Sequence, residues 1–155
     1  MLRLRPPAAD EGPALTELCL RSKAVHGYDA AFIEACRAEL TVDPARPGAA
    51  IMVAEIDGVP AGVAELLFED GEAELAKLFT EPGLQGRGVG KALLDWARNE
   101  AAGRGAPALV LDADPGAAAF YERCGAVLTG RTPSGSIPGR TLPQYRLPLK
   151  GVVAP

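Results

Sequence analysis

A chain of 155 residues and 16.1 kDa has the length of one domain that buries roughly two-thirds of its extended surface without a metal or disulfide staple. Hydrophobic residues at 48% and charged residues at 23% place it among folded, soluble chains and exclude the polar, highly charged composition of disorder. A net charge of −4 and a pI near 5.1 are opposite in sign to a surface that neutralises many phosphates, which argues against a nucleic-acid partner.

At the start of the chain, MLRLRPPAADEG lacks the apolar segment of a leader, and no run approaches the ~18 apolar residues of a membrane span. A cytoplasmic location with no membrane partner is therefore expected. Cys19, Cys36 and Cys124 are odd in number and far apart, which suits reduced thiols, and with His26 as the single histidine no metal is expected.

In chain order, Leu2 to Arg5 alternate apolar and basic residues before Pro6-Pro7 and read as a short strand. Leu15, Leu18, Cys19 and Ser22 share one helical face, and after the HGYD break Phe32, Ile33, Cys36 and Leu40 repeat it as a second helix. After a Pro-containing connection, IMVAEI, VPAGVAELLF and EAELAKLF, joined by Asp57-Gly58 and Asp70-Gly71, predict an antiparallel three-strand meander. Glycine-rich TEPGLQGRGVG then opens a helix with Val89, Leu93, Trp96 and Ala97 inward. PALVLDA is a continuous apolar run, as in a central strand buried on both faces. Asp114 and Pro115 suit the N-cap and first turn of a helix AAAFYERC, closed by Gly125, and strands AVLTGR and QYRLPL follow. The order β-α-α-β-β-β-α-β-α-β-β makes one α/β domain over residues 1–150, with a tail over 151–155.

The segment Gln85-Gly86-Arg87-Gly88-Val89-Gly90-Lys91, between a strand and a helix, presents free backbone N–H groups and a positive helix end to an anion. A Walker A loop is excluded because Gln85 and Ala92 stand where it needs Gly and Ser or Thr. A dinucleotide fingerprint fits poorly, since Lys91 occupies the third small position and a meander precedes the loop.

The surviving pattern, Gln-x-x-Gly-x-Gly, resembles the pyrophosphate loop of the GNAT family, the acyl-CoA-dependent N-acetyltransferases. LFTEPGLQGRGVGKALLDWA resembles the family's strand, loop and helix motif, and ADPGAAAFYERCGAVLTG its second CoA-facing motif. This resemblance spans Leu2 to Leu149 and implies an α/β (α+β) fold, a mixed and mostly antiparallel sheet of about seven strands flanked by four helices. It implies acetyl transfer from acetyl-CoA, without metal, to a small-molecule or peptide primary amine by direct attack in a ternary complex; pairing as a homodimer is compatible with it.

The resemblance also assigns roles. Gln85, Gly86, Arg87, Gly88, Val89, Gly90 and Lys91 would cradle the pyrophosphate. Leu78, Phe79 and Thr80 would pair their backbone with the pantetheine arm, and an N–H there would face the thioester carbonyl. Tyr121 would protonate the leaving thiolate, or else only pack against the cofactor. Where the family carries Asn before this tyrosine, the chain has Asp114-Pro115-Gly116. Glu74 stands eleven residues before Gln85, the spacing of the catalytic glutamate in the histone-acetyltransferase branch, and is the leading base. Alternation places it on one strand face with Glu72 and Leu78; a solvated edge and a water chain are the alternatives.

His26 and Tyr28 fall where the family covers its acceptor site, although a lone histidine in a loop also caps helix ends. Arg140 suits a substrate carboxylate or the cofactor, in a loop whose Gly, Pro and Ser are also turn formers. A CoA-binding sensor or partner module without turnover is the alternative function.

Overall fold

The computed structural model describes residues 1–84, 86–134 and 138–149. Asp57 and Asp70 take positive φ (52° and 54°) ahead of Gly58 and Gly71, a conformation matched to the twist of a tight hairpin. They fold β2 (Ala49–Ile56), β3 (Val59–Glu69) and β4 (Glu72–Thr80) into the expected meander. Together with β1 (Leu2–Arg5), β5 (Ala108–Asp112), β6 (Val127–Pro133) and β7 (Thr141–Pro148) they form one seven-stranded sheet in the order β1-β2-β3-β4-β5-β7-β6. Among the described residues only the pairing of β4 with β5 is parallel, so the mixed, mostly antiparallel sheet follows the expectation.

Helix α1 (Gly12–Ala24) covers one face of the sheet, where Leu15, Leu18 and Cys19 pack on Val53, Val63 and Phe79. The opposite face takes α4 (Val89–Gly103) and α5 (Ala118–Arg123), whose Leu94, Ala97 and Tyr121 pack on Leu66, Leu75 and Leu109. The expected second helix divides at Cys36 into α2 (Ala30–Ala35) and α3 (Arg37–Leu40), so five helices stand among the described residues where four were expected. The Cys36 N–H is shared between the Phe32 and Ile33 carbonyls, which tightens the turn while Cys36 and Leu40 both stay buried.

One irregularity changes the chemistry. Glu65 pairs with Lys77 and Leu66 with Leu75, so Ala76 is a β-bulge. Before it, Ala73 and Leu75 face α4; after it, Leu78 faces α4 while Phe79 joins the α1 cluster. Glu74 therefore lies on the α1 face with Lys77 and Phe79. Simple alternation put it with Leu78, and the extra residue overturns that. The bulge also turns Lys77 inward, where its Nζ donates to Glu65 Oε1 at 3.0 Å; the two side chains are 3% and 1% exposed. Arg46 reaches the other Glu65 oxygen at 3.2 Å.

A buried pair is costly to break from one side, because the remaining charge stays in low dielectric. Lys77→Met is expected to lower unfolding free energy by about 3 kcal/mol in urea denaturation, and the double variant Glu65→Leu/Lys77→Met to recover most of it.

Candidate functional site

Strands β4 and β5 are hydrogen-bonded neighbours only at Ala73–Leu109 and Glu74–Val110. Beyond Glu74, β4 stays with β3, where Thr80 pairs with Gly62 and Glu81 N–H donates to Ala61 O. Meanwhile β5 stays with β7, where Asp112 pairs with Gln144 and Ala113 N–H donates to Pro143 O. The sheet thus splits into a V, with its vertex at Glu74 and its mouth between Thr80 and the turn after Asp112. The unpaired edge of β4 over residues 75–80 holds Leu78, Phe79 and Thr80.

On the α4 side, the glycine loop delivers the start of α4 to this mouth. Gly86 and Gly88 have φ of +80° and +79°, which residues with a Cβ adopt only under strain. Gly88 is the N-cap and supplies no side-chain cap. The first α4 bond runs from Ala92 N–H to Gly88 O, so the N–H groups of Val89, Gly90 and Lys91 have no partner within the helix. That is the donor set and partial positive charge an anion needs. A Cβ built on Gly90 would lie 3.5 Å from the Phe120 ring and 3.8 Å from Thr80 Cγ2, which brings the loop, the end of β4 and α5 together. The Val89 side chain is core, Arg87 is exposed, and Lys91 is drawn to Asp95 at 2.8 Å. Gln85 lies outside the described residues.

Tyr121 is 7% exposed, edge-on to Phe120 at 5.3 Å, within the cluster under α4. Burial, with a smaller contribution from Cys124, pushes its phenol well above the ordinary range, so it carries its proton at neutral pH. Glu74 stands across the sheet on the α1 face and lines a cavity of about 340 Å³ with Arg46, Glu69, Asp70, Glu72 and Val110. Burial and the neighbouring Asp112 raise its carboxyl above the usual value. Asp112 is a neighbour the sequence did not reveal, because it sits on a different strand.

At the mouth, the α1 face is closed by long-range contacts. Arg21 of α1 binds Glu81 after β4 through two bonds of 2.7 and 2.9 Å, while Lys23 of the same helix reaches Asp114 after β5 at 3.2 Å. The end of α1 therefore bridges both arms of the V. Tyr28 donates its hydroxyl to Asp114 Oδ2 at 2.8 Å and accepts from Arg140 at 2.5 Å. Its ring stacks on Phe32 with centroids 4.2 Å apart. The His26 ring lies where a Cβ on Gly116 would be, so that glycine permits the contact.

The structure thus brings His26, Tyr28 and Arg140 into one cluster around Asp114, and none of the contacts among the described residues joins Glu74 to it. Asp114 was legible only as a helix cap, and it does cap, accepting from Gly116 N–H at 2.9 Å. Burial alone would raise its carboxyl, but Gly116, Tyr28 and Lys23 together hold it below the usual value.

No helix among the described residues is long and apolar enough to cross a membrane, and no group of three His, Cys, Asp or Glu among them is placed to hold a metal. Known acetyltransferase structures share this fold. PaiA N-acetyltransferase from Thermoplasma acidophilum, solved with coenzyme A, superposes with a TM-score of 0.77 at 18% identity, covering 96% of this chain and 99% of that one. A GCN5-related N-acetyltransferase from Rhodopseudomonas palustris gives 0.74 at 27% identity, covering 94% and 92%. The ribosomal-protein-S18-alanine N-acetyltransferase from Escherichia coli gives 0.72 at 20%, covering 96% and 94%. Among curated proteins none matches the sequence. The acetyltransferase (GNAT) family pattern matches residues 15–126, and the chain belongs to that family of acetyl-transferring enzymes.

Asp114→Ala removes the cap and the shared acceptor and is expected to cost about 1–2 kcal/mol in urea unfolding at pH 7. Because the folded carboxyl sits below its ordinary 3.8, its stabilisation is present above that pH and is lost as pH falls through the lower folded value. The stabilities of wild type and Asp114→Asn are therefore expected to converge in acid, measured by unfolding across pH 3–7.

Proposed function

We propose that the chain, as one domain over residues 1–150, transfers the acetyl group of acetyl-CoA to a primary amine by direct attack in a ternary complex. The observation that carries this reading is the V between β4 and β5, which opens between an anion-binding helix start on one face and a polar, aromatic-walled mouth on the other. The donor set fits coenzyme A: the backbone N–H groups of Val89, Gly90 and Lys91 at the α4 start, with the Arg87 side chain nearby in sequence, hold the pyrophosphate, and the family motif assigns Gln85, Gly86 and Gly88 to the same loop. The unpaired edge of Leu78, Phe79 and Thr80 pairs with the pantetheine amides, and one of its N–H groups receives the developing oxyanion.

The acceptor enters from the α1 face, past His26, Tyr28 and Arg140. A primary ammonium with a pKa near 10.4 must lose a proton before it attacks. Glu74, on that face at the vertex, takes the proton. The amine nitrogen bonds to the thioester carbon, the C–S bond breaks, and the thiolate takes the proton of Tyr121 from the α4 face. Acid and base are thereby kept on opposite sides of the sheet. Reduced Cys19, Cys36 and Cys124 support a cytoplasmic setting.

Isothermal titration with acetyl-CoA and thiol release with a panel of amines test the reading; absence of acetyl-CoA binding at millimolar ligand overturns it. Gly88→Glu, which puts a side chain and a negative charge at the helix start, is expected to weaken acetyl-CoA binding about 100-fold or more. Tyr121→Phe is expected to lower kcat about 100-fold while cofactor affinity changes about twofold at most, and unchanged kcat removes the acid assignment.

The pH profile follows from Glu74. Activity requires its ionised form, so kcat/KM falls as pH drops through its raised pKa. Asp112→Asn removes a neighbouring negative charge, lowers that pKa and is expected to move the acid limb to lower pH. An unmoved limb excludes Glu74 as the titrating base.

A further inference from the structure

We infer that the acceptor amine carries a carboxylate, and that Arg140 reads it at the mouth of the V. The inference rests on the acetyl-transfer reading above and names its substrate class. Beside the matched pair Arg21–Glu81, three further charged side chains, Lys23, Asp114 and Arg140, meet around Tyr28, and the first two of them are matched to each other. Asp114 takes Gly116 N–H on one oxygen and Tyr28 and Lys23 on the other, and Lys23 and Asp114 are only 13% and 14% exposed. Arg140 is different. Its polar contact among the described residues is to the neutral Tyr28 hydroxyl, with no carboxylate within 4.0 Å. Its guanidinium carbon lies 5.1 Å from the Tyr28 centroid and 5.4 Å from that of Phe32. A cation held over two aromatic faces keeps its charge and is fixed in orientation. Among the described residues this one hydrogen bond leaves donor edges of the planar fork for a ligand, and that fork matches the two oxygens of a carboxylate. Lys23, Arg140 and Asp114 sum to one uncompensated positive charge, which a single carboxylate neutralises.

Position supports the same assignment. Tyr28 fixes Arg140, and Asp114 fixes Tyr28, so the guanidinium is tied to the turn that follows β5. It stands on the face the acceptor uses, across the sheet from the uncapped α4 start that serves the pyrophosphate. An acceptor with its amine directed into the V and its carboxylate held at the rim would be oriented at both ends. Amino acids and short carboxylate-bearing amines are the class this geometry selects.

The probes are product pairs that differ only in the carboxylate: N-acetylglycine, N-acetylalanine and N-acetylvaline, each against its α-carboxamide. They are titrated calorimetrically into the CoA-loaded protein. The wild type is expected to bind the acids about tenfold or more tighter than the amides, the worth of a charge-assisted fork. Arg140→Gln is expected to bring each ratio to about one, and Arg140→Lys, which keeps charge without the fork, to leave an intermediate ratio.

Equal binding of acid and amide by the wild type across all pairs overturns the proposal without need of any variant, and so does an undiminished ratio in a folded Arg140→Gln protein. CoA and 3′-dephospho-CoA are titrated in parallel. If Arg140→Gln weakens CoA and spares the acid-to-amide ratio, the arginine serves a cofactor phosphate and the proposal falls. If the wild type binds no CoA, the acetyl-transfer reading fails on its own. The same pairs titrated into the free protein then still decide whether Arg140 reads a carboxylate.

Discussion

The arrangement depends on how briefly β4 and β5 stay together. They are parallel, so the chain must cross over between them, and the crossover carries the glycine loop and α4. Because the chain leaves β4 at its carboxyl end, the helix start lies at the carboxyl ends of the two parallel strands, the end where open α/β sheets leave room for ligands. Two pairs of residues then hold the strands, and after Glu74 each strand follows its antiparallel neighbour instead. The gap and the open helix start at its rim are consequences of one topological choice. A longer parallel ladder would satisfy the β4 edge internally and close the gap.

The bulge at Ala76 makes the gap two-sided. It lets β4 point Leu75 and Leu78 toward α4 while turning Lys77 and Phe79 toward α1. The inward lysine needs a carboxylate, and Glu65, directly opposite on β3, supplies it. This pair argues for register more than for net stability, since a hydrophobic pair of similar volume would bury at lower desolvation cost. Any slip of one residue between β3 and β4 would separate the two charges. The bulge, and with it the face on which Glu74 lies, is thus pinned by a penalty on the alternatives.

Period and punctuation carried most of the fold in the sequence. The two Asp-Gly turns, the apolar run 107–111 and the glycine loop each announce local geometry, and local geometry in order nearly suffices for this topology. The bulge was not legible, because EAELAKLF alternates acceptably without one, and its sign appears only when Lys77 meets Glu65 across the strand. Nor was the role of Asp114. Its capping is local and readable, but its bond to Tyr28 spans 86 residues and its bond to Lys23 spans 91. Splitting the second helix at Cys36 belongs to the same class, since it is decided by where two buried side chains must point.

The α1 wall of the mouth shows how those distant contacts combine. A helix end with exposed carbonyls favours cations, and α1 places Arg21 and Lys23 in its last turn. Each is spent on an acid from a different arm of the V, Glu81 after β4 and Asp114 after β5, so the helix end fixes the width of the opening. Asp114 is the stronger anchor, because it also orders Tyr28 and the turn leading into the helix of Tyr121. With its carboxylate committed three ways, nothing acidic among the described residues answers Arg140. The same contacts that close the wall therefore leave one oriented positive charge at its rim, on the face that the proposed reaction assigns to the acceptor.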